Sequence, residues 1–444
     1  MAWNIVIAGA GFGGANAAKR LEKVLPKQSA RLTVVNDVNF LLYTPFLPAA
    51  SAGTLEPRHA VTPLREILRR AHLRLGAVTG HDPEAQTVTV TSHAGEQTTL
   101  DYDALVLGLG AVSRSLPIPG LDEHAIGFKS LADAIWLRNH VIETLEAANA
   151  TADAARREQL LTYVFVGGGY AGLEALAELQ DFAAAAMDFY PRARLQGMRW
   201  IMVEARDRVM PELDADLAAY TMRELRGRGV EFFLDTTLEE VTAENVTLSS
   251  GEVLPTDTVV WTAGVTPHPS LKRLSVPLTD AGKVPVDEYL KVRGMERVWA
   301  VGDCAEVPDP EGGMCPPTAQ HAVRQGRTAA GNVAASLGIG ERKTFTYKTK
   351  GQFADLGRHK GVGKVGDRII SGFPAWWMTR TYHITQVPSI SRKIRSVADW
   401  TVSLGFPRDL SEVGSATSPA PLSAEAYEQG GTHRPLSRSD ETAV

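Results

Sequence analysis

Two apolar strands each run straight into a glycine-spaced turn and then a helix, and this repeated pattern constrains the chain more than any other feature. In the first copy, Asn4-Ile5-Val6-Ile7-Ala8 leads into Gly9-x-Gly11-x-x-Gly14, a helix expected over about 15–25 and the strand Leu32-Thr33-Val34-Val35. In the second, Thr162-Tyr163-Val164-Phe165-Val166 leads into Gly167-Gly168-Gly169-x-x-Gly172, a helix expected over about 171–186 and the strand Trp200-Ile201-Met202-Val203. A dinucleotide pyrophosphate needs close backbone approach and free amide donors at a helix N-terminus. The first glycine of each set permits the turn, the second admits the phosphate, and the third lets helix pack on strand. One such turn can simply connect a strand to a helix; two correctly framed copies predict two bound nucleotides.

An acid ending the second strand of such a unit accepts hydrogen bonds from the adenosine ribose, and Glu204 stands there in the second unit. A carboxylate repels a 2′-phosphate, so NADH is expected rather than its phosphorylated form, with Arg206 and Arg208 read as solvated or paired surface charges. The first unit has Asn36 at this place, with Asp37 next. An asparagine can still hydrogen-bond a ribose, with less specificity.

In chains with two such units the N-terminal one usually takes FAD and the inserted one the nicotinamide. The strand Val298-Trp299-Ala300-Val301 delivers Gly302-Asp303, whose carboxylate suits a ribityl chain; the competing reading is an Asp capping the next turn. Val259-Val260-Trp261 ends at Thr262-Ala263-Gly264, Ala104-Leu105-Val106-Leu107 ends at Gly108 and Gly110, and residues 86–91 and 97–101 form a hairpin. The expected architecture is α/β with two Rossmann-like domains: a discontinuous FAD domain (1–115 and 263–340) and an inserted NAD(H) domain (116–262). A C-terminal membrane-associating region (341–410) and a disordered tail (411–444) complete it.

Composition excludes several other classes. A net charge of −5 gives no counterion-release drive towards nucleic acid. Cys304 and Cys315 make neither a disulfide framework nor a zinc spacing, so no metal site and a reducing compartment are expected. The N-terminus enters its strand with no charged leader, which predicts a cytoplasmic protein. No run of 18 apolar residues occurs, so membrane contact should be peripheral.

Five segments together are similar to the type II NADH:quinone oxidoreductases, the alternative NADH dehydrogenases within the pyridine nucleotide-disulfide oxidoreductase-like flavoproteins. They are Gly9-Ala10-Gly11-Phe12-Gly13-Gly14, Leu42-Tyr43-Thr44-Pro45-Phe46-Leu47-Pro48, Gly167 to Glu174, Ala300 to Ala305, and Pro317-Thr318-Ala319-Gln320-His321-Ala322-Val323-Arg324-Gln325-Gly326. The resemblance covers roughly residues 3–410. It implies that the loop with Thr44 and Pro45 lies by the flavin, Glu174 near the nicotinamide, and Ala319 with Gln320 at the quinone end. The catalytic candidates are then Glu174, Gln320 and Gln325, the glutamines as contacts that position a quinone carbonyl; Glu174 can equally be a first-turn acid favoured by the helix dipole, and Gln320 and Gln325 can be helix-surface amides. Arg324 stands where many members carry glutamine, and Gly108-Leu109-Gly110 where they often show Ala-Thr-Gly.

A quinone enzyme has to meet the bilayer. Ile390, Ile394, Val397, Thr401 and Leu404 recur with helical spacing beside Arg392, Lys393 and Arg395. Trp376, Trp377 and Tyr382 suit the headgroup level, and residues 341–410 hold 13 Lys and Arg against 5 Asp and Glu, a surplus of +8. The competing readings of this helix are a cover over a sheet or a dimer interface. The resemblance therefore implies an enzyme at the cytoplasmic side of the membrane that oxidises NADH and reduces a quinone through FAD, in ping-pong order and without pumping protons. Two rivals are a sulfide:quinone oxidoreductase, which needs reactive cysteines, and a redox-sensing binding protein without turnover.

Overall fold

The computed structural model describes residues 2–211, 214–347, 352–365 and 368–412. Almost all of the tail expected to be disordered, 413–444, lies outside them.

Each glycine unit nucleates its own five-stranded parallel sheet, and the two sheets share one plan. The first runs Val298–Ala300, Ala104–Leu107, Trp3–Ala8, Ala30–Asn36, His72–Leu75. The second runs Ala125–Gly127, Thr258–Trp261, Thr162–Val166, Arg199–Val203, Val230–Phe233. In both, the strand feeding the glycines is central. It is covered on both faces, which explains why Ile5, Ile7, Val164 and Phe165 form continuous apolar runs and are buried.

The last strand of the first sheet comes from Val298–Ala300, so the second sheet is inserted between strands of the first. At the crossing, Ala111–Ser113 and Val265–Pro267 pair antiparallel. The expected hairpin is part of a three-stranded sheet, Ala77–Asp82, Thr87–Thr91 and Gln97–Asp101. Across the first sheet, the helix Phe12–Val24 lies directly on the helix Ala319–Ser336. A side chain on Gly326 would come within 2.1 Å of the Gly13 carbonyl oxygen, so glycine sets this approach.

The C-terminal region is more than an amphipathic segment. It opens with a three-stranded antiparallel sheet, Gln352–Asp355, Gly361–Val365 and Arg368–Ser371, and continues as helices Gly372–Gln386 and Ile390–Gly405. Trp376, expected at a headgroup level, is instead 5% exposed. Its ring packs against Phe373 and carries the Arg380 guanidinium 4.4 Å from its centroid. Trp377 does reach solvent, at 57% exposure, and Tyr382 is half-buried. The last helix turns Ser396 and Trp400 inward and leaves Ile390, Ile394, Val397 and Leu404 outward. This orientation overturns its reading as a cover over a sheet. No helix among the described residues is long and apolar enough to cross a membrane.

Candidate functional site

The two glycine turns are superimposable in chemistry. Gly9 and Gly167 adopt φ of +93° and +102°, where a side chain would meet the Gly108 carbonyl oxygen at 2.3 Å or the Ala263 amide nitrogen at 2.7 Å. Added side chains on Gly14 and Gly172 would meet the carbonyl oxygens of Gly9 at 1.8 Å and Gly167 at 2.3 Å. Gly11 and Gly169 differ from these four: an added Cβ would touch nothing within 4 Å. They are the N-caps of the two glycine helices, and neither has a side-chain cap, so the first-turn amides point into open space. Each cradle has the room and the free amide donors that a pyrophosphate requires.

The residue after each second strand ties to its own cradle in the same way. Asn36 Oδ1 accepts the Ala10 amide at 2.7 Å, and Glu204 Oε2 accepts the Gly168 amide at 2.6 Å. Asn36 spends its Nδ2 on the Val38 carbonyl, whereas Glu204 Oε1 takes the Arg206 amide. Asp37 is exposed next to Asn36, with Oδ1 on the Val38 amide. Arg208 donates to the Pro211 carbonyl and Arg206 is exposed.

Four segments distant in sequence converge beyond the first cradle. Gly302, at φ +74°, donates its amide to Gln325 Oε1 at 2.8 Å. Asp303 is half-buried in the short turn Gly302–Cys304, whose N-cap Val301 has no side-chain cap. The Thr44–Phe46 turn, which contains Pro45, is fixed by the buried Tyr43, whose ring packs edge-on to Phe12 and Phe46. Tyr43 Oη lies 3.0 Å from His383 Nδ1, and burial, aided by Arg380, pulls that imidazole down to about 4 and keeps it neutral. Gly110 and Gly264, at φ +71° and +89°, form the crossing between the two sheets.

Ala319 opens the helix whose cap is Thr318. Gln320 Oε1 accepts the Tyr347 hydroxyl at 2.6 Å, and Arg324 lies over the Tyr347 ring at 4.0 Å while donating to the Gln320 carbonyl. Gln325, read as a helix-surface amide or a quinone contact, is neither. It is 3% exposed and faces Gly302. Five residues turn a helix by well over a full circle, so 320 and 325 diverge, and Arg324, one turn on, shares the Gln320 face.

Glu174 lies beyond the first turn of the helix Tyr170–Ala186, which has no acid in that turn, so the dipole reading does not hold. Its Oε1 accepts the Asp355 amide at 2.9 Å. Burial, reinforced by Asp355 and Glu178, pushes its carboxyl up to about 8 against the pull of that amide. Burial raises Asp355 to about 8 as well. Beneath them the fully buried Glu178 pairs with Arg380 and Arg408, and Arg408 also pairs with Asp181 at 2.5 Å. None of these partners was expected from sequence.

A model of the pyridine nucleotide-disulphide oxidoreductase family matches residues 3–326. The chain is 30% identical over 416 residues to a probable NADH dehydrogenase of Dictyostelium discoideum, covering 92% of this chain and 90% of that one. It is also 30% identical over 414 residues to the type II NADH:quinone oxidoreductase Ndh of Mycobacterium tuberculosis, covering 90% and 87%. The chain belongs to the type II NADH:quinone oxidoreductases. A solved structure of Plasmodium falciparum NDH2 in complex with NADH has the same fold, with a TM-score of 0.84 at 18% identity over 93% of this chain and all of that one.

The thiols of this type II chain do not suit sulfide chemistry. Cys304 is buried and donates to the Val301 carbonyl at 3.3 Å, and burial pushes both it and Cys315 up to about 11. Neither is a thiolate at neutral pH. The signal that would have revealed the acidic cluster was the spacing of Glu174, Glu178 and Asp181, which puts three acids along one side of a helix otherwise largely buried. Acids so placed require cations from another segment.

Proposed function

We propose that the chain oxidises NADH and reduces a membrane quinone, using FAD. The observation that carries this is the duplicated cradle: two parallel sheets, each presenting an uncapped helix N-terminus at a glycine with open space, with a carboxylate at the second and an amide at the first. Bound FAD would supply the two-electron chemistry between NADH and the quinone, with a ping-pong order expected. Gly9, Gly11 and Gly14 hold its pyrophosphate, Asn36 and Asp37 its ribose, and Thr44, Pro45, Gly110, Gly302, Asp303 and Ala319 its flavin end. Gly167, Gly168, Gly169, Gly172, Glu204 and Gly264 serve NADH in the same way. We retain the domain limits 1–115, 116–262 and 263–340 as part of this reading.

Quinone reduction consumes two protons, and in this reading Glu174, whose carboxyl burial keeps protonated at neutral pH, is the donor of one. Gln320 provides a polar contact at the quinone end. Gln325 supports the site from behind by orienting Gly302.

The last helix is the membrane contact in this reading. Ile390, Ile394 and Phe406 are 65–75% exposed. Beside them a cavity of about 470 Å³ is lined by Arg58, His59, Arg392 and Arg395 together with Glu56, which pairs with Arg58 at 3.2 Å and leaves Arg392 and Arg395 to face anionic headgroups. His59 and Asp399, 2.5 Å apart, fasten the helix to the body. The cytoplasmic leaflet is the expected surface, and a second copy covering the same stripe is the alternative.

The test is purification with detergent, followed by NADH oxidation with and without a short-chain quinone. Yellow protein with quinone-dependent turnover is expected. Flavin bleaching by NADH without turnover would favour the sensor instead.

A further inference from the structure

The loop leading into the helix Ala319–Ser336 gathers three metal-ligating side chains that neither nucleotide cradle uses. Pro308 and Met314 bridge antiparallel, Gly312 and Gly313 turn between them at φ +107° and +77°, and the Cys315 amide donates to the Val307 carbonyl at 2.9 Å. Asp309 and Cys315 are thereby held at the two ends of one tight loop. The next helix begins at once, and its first turn carries His321, 5% exposed, back over that loop. One ligand atom from each of Asp309, Cys315 and His321 lies within 4.8 Å of the other two.

We propose that Asp309, Cys315 and His321 form a binding site for a thiophilic divalent cation of the zinc class, with a water completing the coordination. A thiol, an imidazole and a carboxylate together match zinc and its neighbours, whereas magnesium and calcium require oxygen ligands throughout. Sequence spacing hides the set, because the two cysteines form no pair and the ligands alternate between a loop and a helix.

Each ligand also has a partner that orients it, the usual companion of a metal site. The His321 ring is fixed by Thr318 Oγ1, 2.7 Å from Nδ1. Asp309 Oδ1 accepts the Glu311 amide at 2.9 Å. The Cys315 thiol donates to the Pro308 carbonyl at 3.7 Å and has the Gln325 side chain beside it, whose Oε1 accepts the Gly302 amide. Through Gln325, the cation site is one side chain removed from the Gly302 turn. Cys315 is only half-buried, which gives the ion a way in. Binding breaks the Cys315 S–H bond, forms a sulfur–metal bond and releases the proton to solvent; no electrons move.

The full-length flavin-loaded protein, stripped with a chelator, is titrated with Zn²⁺ against a chromophoric competitor while proton release is followed. One ion per chain is expected, with its thiol proton lost from the release in Cys315→Ser. Cys315→Ser and His321→Gln should each weaken Zn²⁺ by more than about a hundredfold, beyond the loss typical of an orienting partner. Co²⁺ should give tetrahedral bands to the red of the flavin absorption. Should a variant fail to fold, Zn²⁺ protection of Cys315 from alkylation in the unaltered protein is the second readout. No stoichiometric uptake, uptake unchanged in both variants, or alkylation indifferent to Zn²⁺ would overturn the proposal.

Discussion

Gly169 and Gly172 stand in one loop, yet alanine should affect them in different ways. A methyl at 172 would sit 2.3 Å from both the Gly167 carbonyl oxygen and Thr262 Oγ1. Thr262 cannot swing aside freely, because its hydroxyl is bound to the Val166 and Gly167 carbonyls at 2.9 and 2.8 Å. The helix has to lift off its strand. Overpacking of this kind costs about 1–3 kcal/mol, and with a backbone atom as one obstacle the upper half of that range applies. Melting of a chain of 444 residues should fall by roughly 2–3 °C. At 169 the backbone is extended, φ −70° and ψ 179°, and nothing lies within 4 Å. Alanine there is free of strain, and its gain of about 0.4–1 kcal/mol through the unfolded chain is offset by its poorer fit as the N-cap, so the melt should hardly move. Its methyl nevertheless fills the space the pyrophosphate requires, and NADH affinity should drop at least about tenfold, or 1.4 kcal/mol. Thermal melts of flavin-loaded protein, paired with NADH titration of flavin bleaching, read both effects. Gly169→Ala with unaltered NADH affinity, or Gly172→Ala with an unaltered melt, would refute the division between approach glycine and packing glycine.

Glu174→Gln should flatten a pH dependence. A carboxyl raised from 4.5 to about 8 stabilises the fold below its unfolded value and loses that contribution as pH rises through about 8. At about 1.4 kcal/mol per unit the ceiling is near 5 kcal/mol, and sharing with Asp355 leaves about 2 kcal/mol. Urea midpoints at pH 6 and 8.5 should therefore diverge less in the variant, and the alkaline fall in quinone turnover should disappear; identical profiles would count against the assignment. Gln325→Ala orphans the Gly302 amide, at about 1–3 kcal/mol, and should shed flavin on dilution, whereas Gln320→Ala should retain it. Replacing Arg392, Lys393 and Arg395 with Gln should lower binding to anionic vesicles by about 3 kcal/mol in flotation assays, with neutral vesicles unaffected. Equal loss on both vesicle types would point to misfolding instead. Glu204→Ala should raise the KM for NADH and leave flavin content unchanged; an unchanged KM would remove Glu204 from the nucleotide site.

Both central strands, both glycine helices and the twin cradles were legible because each is a local pattern: an apolar run, a spacing of glycines, an acid or amide at a strand end. Asn36 and Glu204 could be named because their place is fixed by a strand's length. Gln325 was misread for a related reason. Helical periodicity separates it from Gln320, but which of the two faces inward depends on the Gly302 turn, brought there by a strand from elsewhere in the chain. Trp376 was misread because an indole beside cations looks the same in sequence whether the cation is Arg380 stacked upon it or a basic patch at a headgroup.

The acidic cluster under Glu174 shows where local reading stops. Burying Glu178 fully is tolerable only because Arg380 and Arg408, from different segments of the C-terminal region, reach it, at 3.3 and 3.4 Å. Those arginines were counted among the thirteen cations of a basic, membrane-facing stretch. Two of them instead point inward and are 6% and 9% exposed, so the charge available to a bilayer is smaller than composition implies. Arg380 also joins the helix carrying Glu174 to the sheet carrying Asp355, pairing with Asp355 at 3.3 Å. Removing either guanidinium leaves a buried carboxylate uncompensated, a loss of about 3–5 kcal/mol. It should also push the Asp355 carboxyl further up, because a cation that favours its charged form is gone. Arg380→Met should therefore both destabilise the protein and, through Asp355, move the alkaline limb of its stability profile to higher pH. A variant that melts lower while keeping the original limb would separate the structural cluster from the proton-bearing site.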